Sequence, residues 1–264
     1  MNLFPSLSKE QSLYIHIPFC TTCCSYCAFY SEPKEQWVDY QQAYLDRLLK
    51  EIVAVENDVS SFDTIFIGGG NPGSLTADQL SALLSAAQRT RKSREVTIEM
   101  NPETFSEAFF PLFEQKLVTR LSIGIQSMDD TILSRLQRGA TVQTNLNAIA
   151  LAQRARERYG IDLSFDLMVA LPGQSTAMAR SDILQLLDLC DVEHLSLYCL
   201  TVEEGTVLAR QVSESELSVM DEDQQMEMLF ALWDTLRKHG FSHYEVSNFA
   251  KNDRRCNHNM HYWK

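Results

Sequence analysis

The sequence predicts an α/β fold, a partial, laterally open (β/α)6 TIM-like barrel. Short β-rich runs alternate with amphipathic helical stretches along the chain, a rhythm that implies a parallel sheet with helical crossovers. Six such units can be counted, whereas a closed barrel has eight. The cysteine cluster, Gly68–Pro72, Asn101-Pro102, Gln126 and Pro172-Gly173 fall at the ends of these runs, the strand ends where parallel α/β folds gather their chemistry.

The first strand is expected at 13–17 (LYIHI), followed by a helix over 36–55 with apolar residues at helical spacing. A second strand at 64–67 (TIFI) runs into Gly68, Gly69 and Gly70, and Thr76 reads as the N-cap of a helix reaching about 91. The third strand is placed at 96–100 (VTIEM), with a helix over 106–115. The fourth strand lies at 120–126 (RLSIGIQ), followed by helices near 129–136 and 144–159. The fifth strand falls within 163–171, stopped by Pro172 and Gly173, and a helix covers 176–189. The sixth strand spans 194–200, and the last long helix spans 221–239. Residues 1–240 read as the core domain and 241–264 as the start of a further C-terminal region, cut short at Lys264.

Composition excludes several classes. With 45% hydrophobic and 22% charged residues the chain has the make-up of an ordinary core-forming protein. The formal net charge of −12 argues against nucleic acid as a partner, since Arg254 and Arg255 are the only basic footprint of note. No run approaches the ~18 apolar residues of a membrane span, and the amino-terminal MNLFPSLSKEQS has no basic-then-apolar leader. Seven cysteines, an odd number, are unevenly spread, which speaks against a disulfide framework and for a reducing, cytoplasmic location.

Cys20, Cys24 and Cys27 form C-x3-C-x2-C directly after the first strand and Pro18. Iron–sulfur clusters are held by thiolates, and a [4Fe–4S] cube ordinarily takes four. Three therefore leave one iron open to a chelating ligand. Zinc is the competing reading, but no second C-x-x-C pair follows at a finger-like distance. Cys23 breaks the spacing and reads as a bystander thiol, while Cys190 and Cys199 read as core residues.

The segment YIHIPFCTTCCSYCAF from Tyr14 resembles the opening of the oxygen-independent coproporphyrinogen III oxidase family and its relatives, the HemW-type haem chaperones. The likeness continues through GGGNP (68–72), EMNP (99–102), RLSIGIQS (120–127), LSRLQR (133–138), FDLMVALPGQ (165–174), HLSLYCLTVEEGT (194–206), YEVSNFA (244–250) and HNMHYW (258–263). It thus extends over almost the whole chain and implies a radical SAM type of barrel. It also implies that the open iron chelates S-adenosyl-L-methionine. By that resemblance Tyr14, Gly69, Gly70, Glu99, Gln126, Arg138 and Asp166 would line the S-adenosylmethionine site. Carboxylates suit ribose hydroxyls, and an arginine suits the methionyl carboxylate. Asn71 stands where relatives usually carry Thr, and Val169-Ala170 where they carry Tyr-Gly, so the resemblance assigns these positions no contact.

Two features separate the branches of the family. The true oxidases carry a further cysteine two positions after the triad, where this chain has Phe29. The HNMHYW segment matches a pattern associated with haem binding in the chaperone branch, which makes His258 the expected haem contact, imidazole being a natural axial ligand. His261 and Cys256 are weaker candidates. The expected function is a haem chaperone that binds and delivers haem to an accepting protein and draws on an unidentified electron donor. The alternatives are a coproporphyrinogen III oxidase of porphyrin biosynthesis and a truncated, inactive remnant.

Overall fold

Six parallel strands, Ser12–Ile17, Thr64–Gly69, Glu95–Met100, Arg120–Gln126, Asp162–Val169 and His194–Cys199, lie side by side in chain order. The structure is a computed structural model describing residues 11–59 and 61–263. Residues 1–10, read above as lacking a leader, and Lys264 lie outside the described residues. Parallel neighbours require crossover connections, and helices supply them throughout. The first and sixth strands do not pair. Instead Asn248–Ala250 adds antiparallel to the sixth, and Ser242–His243 adds to that. The sheet is therefore open on one side, and the region beyond residue 240 contributes its edge.

The strands alternate strictly. Ile65 and Ile67, Val96 and Ile98, Leu121 and Ile123, and Phe165 and Leu167 are buried in the main core. Each such side chain is worth roughly 1.5–3 kcal/mol relative to exposure. Intervening residues point into the barrel, where Thr97, Glu99, Arg120, Ser122, Ser164 and Asp166 line one polar cavity. A closed TIM barrel fills that space with branched apolar residues; this one does not.

Helix boundaries depart from expectation for local reasons. Thr76 caps as expected, its Oγ1 accepting from Gln79 N at 3.2 Å while Gln79 Oε1 accepts from Thr76 N at 2.9 Å, a capping box. That helix ends at Ala87, because the Gln88 side chain bonds Leu117 O and Ser93 N. The helix expected over 36–55 is two, Lys34–Trp37 and Gln41–Val59. The one over 106–115 opens as a 3-10 turn, Glu107–Phe109, before Phe110–Glu114, since Pro111 has no N–H to give to a preceding turn. Two short helices were not foreseen: Val207–Ser213, capped by Thr206, and Asn257–His261.

Candidate functional site

The cysteine loop leaves and returns to one place, because Phe19–Cys20 pairs in parallel with Glu32–Pro33. Trp37 Nε1 donates to Cys20 O at 3.2 Å, and the Phe19 ring sits 5.0 Å from that of Trp37. Further along, Ser25 N donates to Leu136 O and Leu208 N to Ser25 O. The loop is thereby pinned at its base and at its middle. Cys20 is buried, Cys24 and Cys27 are half-buried and Cys23 is exposed.

Burial pushes the Cys20 thiol up to about 11, with repulsion from Cys23, Cys27 and Cys24 adding to it, and burial likewise raises Cys27. Several thiols crowded on one loop disfavour one another's charge, an arrangement a cationic group relieves. Arg138 Nη1 donates to Cys24 Sγ at 3.4 Å. Among the described residues no three metal-ligating side chains converge on a single ion. A cubane makes no such demand, because each thiolate binds its own iron. The donor set fits a [4Fe–4S] cluster held by Cys20, Cys24 and Cys27.

Beside the loop, at the carboxyl ends of the strands, a cavity of about 360 Å³ is lined by Cys27, Gly69, Gly70, Glu99, Gln126, Arg138 and Asp166. The glycines are required sterically. Gly69 has φ +116°, and a Cβ on Gly70 would stand 2.9 Å from Cys20 Sγ and from the Pro18 carbonyl carbon. Gln126 adopts a left-handed φ of 67°, beside a register shift between Gly124 and Gln126. Such strained, bulged strand ends concentrate at functional sites. Arg138 is fixed by Nη2 bonds of 2.8 Å to Asn101 Oδ1 and Gly124 O. Burial, then repulsion from Asp166, raises Glu99 to about 8, opposed by a bond from the Gly69 amide. Burial raises Asp166 to about 6 against bonds from Ser196 and Ser122.

Tyr14 does not line this cavity. Its hydroxyl bonds His16 Nδ1 at 3.0 Å, and His16 Nε2 donates to Tyr30 O at 2.9 Å. A Cβ on Gly69 would meet the His16 ring at 2.7 Å. Tyr14 therefore reaches the site through His16, which bridges the cysteine loop and the glycine loop. Asn71 is buried, accepting from Gly73 N and Asn101 N and donating to Thr104 Oγ1, so it stitches two strand-end loops together.

Among the cavity residues not singled out from sequence are Tyr26, Met168 and Tyr198. Met168 and Tyr198 sit next to the carboxyl ends of strands, a position that could have flagged them.

His258 lies elsewhere. It is buried, its Nδ1 bonded at 2.9 Å to Thr64 Oγ1 at the amino end of the second strand, its ring 5.2 Å from Phe66. Glu95 receives bonds from Cys256 Sγ, Asn257 N, Asn257 Nδ2 and His258 N, clamping the terminal turn beneath the barrel. Tyr262 and Trp263 remain exposed.

A partial parallel barrel with three thiols and a strand-end cavity defines a cluster-and-cofactor protein of the radical SAM kind. The profile described as the Radical SAM superfamily matches residues 14–186. The chain is 34% identical over 264 residues to "Heme chaperone HemW" of Bacillus subtilis, covering 96% of this chain and 67% of the relative. It is 33% identical to "Heme chaperone HemW" of Lactococcus lactis, covering 97% and 66%. It is 36% identical to "Radical S-adenosyl methionine domain-containing protein 1, mitochondrial" of Danio rerio, covering 98% and 58%. The chain thus spans about two thirds or less of these relatives' own lengths. Its fold is similar to that of coproporphyrinogen III oxidase (HemN) from Escherichia coli, with a TM-score of 0.79, 21% identity and coverage of 95% and 58%. The chain belongs to the radical SAM superfamily, in the family of HemW haem chaperones. The family implies a [4Fe–4S] cluster and S-adenosylmethionine. No helix among the described residues is long and apolar enough to cross a membrane.

Proposed function

We propose that the chain is the cluster- and S-adenosylmethionine-binding part of a haem chaperone. The observation that carries this reading is the pairing of the pinned three-thiol loop with the adjacent 360 Å³ cavity, in a chain about a third identical along nearly its whole length to proteins called haem chaperones. In this reading Cys20, Cys24 and Cys27 hold the cluster. Gly69 and Gly70 let the backbone approach S-adenosylmethionine, Arg138 meets its carboxylate, and Glu99, Asp166 and Gln126 meet its polar groups. Tyr14 orients His16 behind the glycine loop. The cluster supplies an electron-transfer centre and an open iron; the residues supply orientation and exclusion of water. The seven cysteines are all free thiols, which suits a reducing cytoplasmic setting. A haem-accepting protein and an electron donor complete the proposal.

His258 as the haem contact belongs to the same reading. Because His258 is buried, its Nδ1 bonded to Thr64, access of a macrocycle to the imidazole requires the terminal turn to open. The test is an anaerobic haem titration of the cluster-reconstituted chain, its His258→Ala variant and its Thr64→Val variant, followed by Soret absorbance. Saturable binding, weakened in His258→Ala and kept or strengthened in Thr64→Val, is the expected result. Absence of binding in all three would remove the chaperone reading. The second reading, oxidative decarboxylation of coproporphyrinogen III, is favoured by the structural likeness to HemN; anaerobic loss of coproporphyrinogen III with formation of protoporphyrinogen would establish it.

A further inference from the structure

Below the cofactor cavity, inside the barrel, lies a second cavity of about 120 Å³. That is space for several waters or for one small anion with a water beside it. Most polar atoms around it are matched. Ser164 Oγ bonds His194 Nδ1 at 2.7 Å, His194 Nε2 bonds Tyr244 Oη at 2.8 Å, and Ser196 Oγ donates to Asn248 Oδ1 at 2.8 Å. Two atoms are not. Thr97 Oγ1 and Arg120 Nη1 are buried without a hydrogen bond, and strand register sets these two residues directly side by side.

Arg120 is 1% exposed. Its Nη2 donates to Arg254 O at 3.2 Å, while Nη1 has only Asp162 Oδ2 at 3.8 Å, beyond hydrogen-bonding reach. A buried guanidinium nitrogen without an acceptor is costly, and the partner that suits it is a planar oxyanion. Two carboxyl groups also face the chamber, Glu99 and Asp166. Glu99 is held protonated near neutral pH, and Asp166 accepts from Ser122 at 3.2 Å. Asp162 and Asp166 face the Arg120 charge, but neither gives Arg120 Nη1 or Thr97 Oγ1 a hydrogen bond, so these two donors stay unmatched at their end of the chamber.

We propose that this chamber is a carboxylate-binding site, with Arg120 Nη1 and Thr97 Oγ1 as its donors. The carboxylate has two possible sources. One is a free one-carbon or two-carbon acid. The other is a propionate arm of a tetrapyrrole, and this source rests on the haem reading above. The chamber meets the cofactor cavity at Glu99, Asp166 and Tyr198. It meets an outer cleft, which carries the exposed Tyr262 and Trp263, at Tyr198, Asn248 and Asn259. Tyr198 stands where all three spaces join, and an arm would enter past it from a macrocycle seated outside.

The experiment has two arms, both on the full cluster-reconstituted chain under anaerobic conditions. In the first, the thermal midpoint is followed against sodium formate, with sodium chloride at equal ionic strength as control. In the second, haem and haem dimethyl ester, which lacks free carboxylates, are titrated in parallel. Arg120→Met and Thr97→Val are carried through both; Thr97→Val replaces only a hydroxyl by a methyl, so it serves if Arg120→Met does not fold. A saturable formate shift absent with chloride and abolished in the variants supports the free-acid source. Haem binding about tenfold or more tighter than the ester, a margin a lost charge-assisted bond accounts for, supports the arm if the margin collapses in Arg120→Met and narrows in Thr97→Val. No formate shift together with equal affinity for haem and ester overturns the site while leaving the haem reading intact. If neither tetrapyrrole binds, the haem reading fails, and formate alone decides the site: no shift overturns it.

Discussion

Glu99→Gln should flatten the pH dependence of stability between about pH 6.5 and 8. The folded protein holds the Glu99 carboxyl at about 8, against an ordinary 4.5. A raised carboxyl binds its proton in the folded state when the unfolded chain has lost it. Its contribution is therefore fully present below 4.5 and falls as pH rises, reaching its floor above about 8. Each pH unit in that window removes about 1.4 kcal/mol, so from pH 6.5 to 8 the native chain should lose roughly 2 kcal/mol relative to a variant without this proton. In a chain of this size, that is a relative change in thermal midpoint of roughly 4–8 °C. Asp166 and Asp182, each near 6, titrate below the window, and Asp166, which repels Glu99, moves further below it when that carboxyl becomes an amide. Glutamine keeps an oxygen to accept from Gly69. The assay is urea denaturation of the metal-free, reduced chain followed by circular dichroism at several pH values. Parallel curves for the two proteins would refute a buried, protonated Glu99.

The remaining predictions concern the loop and the terminal turn. Cys20→Ser, Cys24→Ser and Cys27→Ser should each abolish the visible cluster absorbance after anaerobic reconstitution, whereas Cys23→Ser, altering an exposed thiol, should keep the full iron content. Glu95→Ala should cost about 3 kcal/mol or more, since it strips a buried carboxylate from several donors of the terminal turn; urea unfolding measures the loss, and hydrogen exchange at 257–261 should rise with it.

The strands were legible because polar and apolar residues alternate within short runs closed by Gly or Pro. RLSIGIQ at Arg120–Gln126 was placed to the residue. The cluster triad was equally plain, since its spacing is local. What the pattern could not supply was partners distant in sequence. His258 bonds Thr64 and Glu95, residues from the start of two far earlier strands, and no periodicity announces such a pairing. Tyr14 was grouped with the cofactor residues, yet its hydroxyl meets His16, two positions on along the same strand. The polar interior was visible in principle, as VTIEM, RLSIG and LSFDL carry their polar residues at every second place. Reading it required knowing which face looked inward, and that depends on the helices covering the other.

The placement of the terminal turn bears on how the two halves of the site communicate. The cysteine loop follows the carboxyl end of the first strand, while Glu95 and Thr64 hold His258 at the amino ends of the third and second. Six strand residues separate these edges, about 17–20 Å at the usual rise. A macrocycle at Tyr262 and Trp263 would thus not stack on the cluster. Its link to the cofactor cavity would run through the polar chamber and the residues shared by both spaces, Glu99, Asp166 and Tyr198. The protonation of Glu99, set by burial and by Asp166, then matters to both sites, because the same carboxyl forms part of each wall.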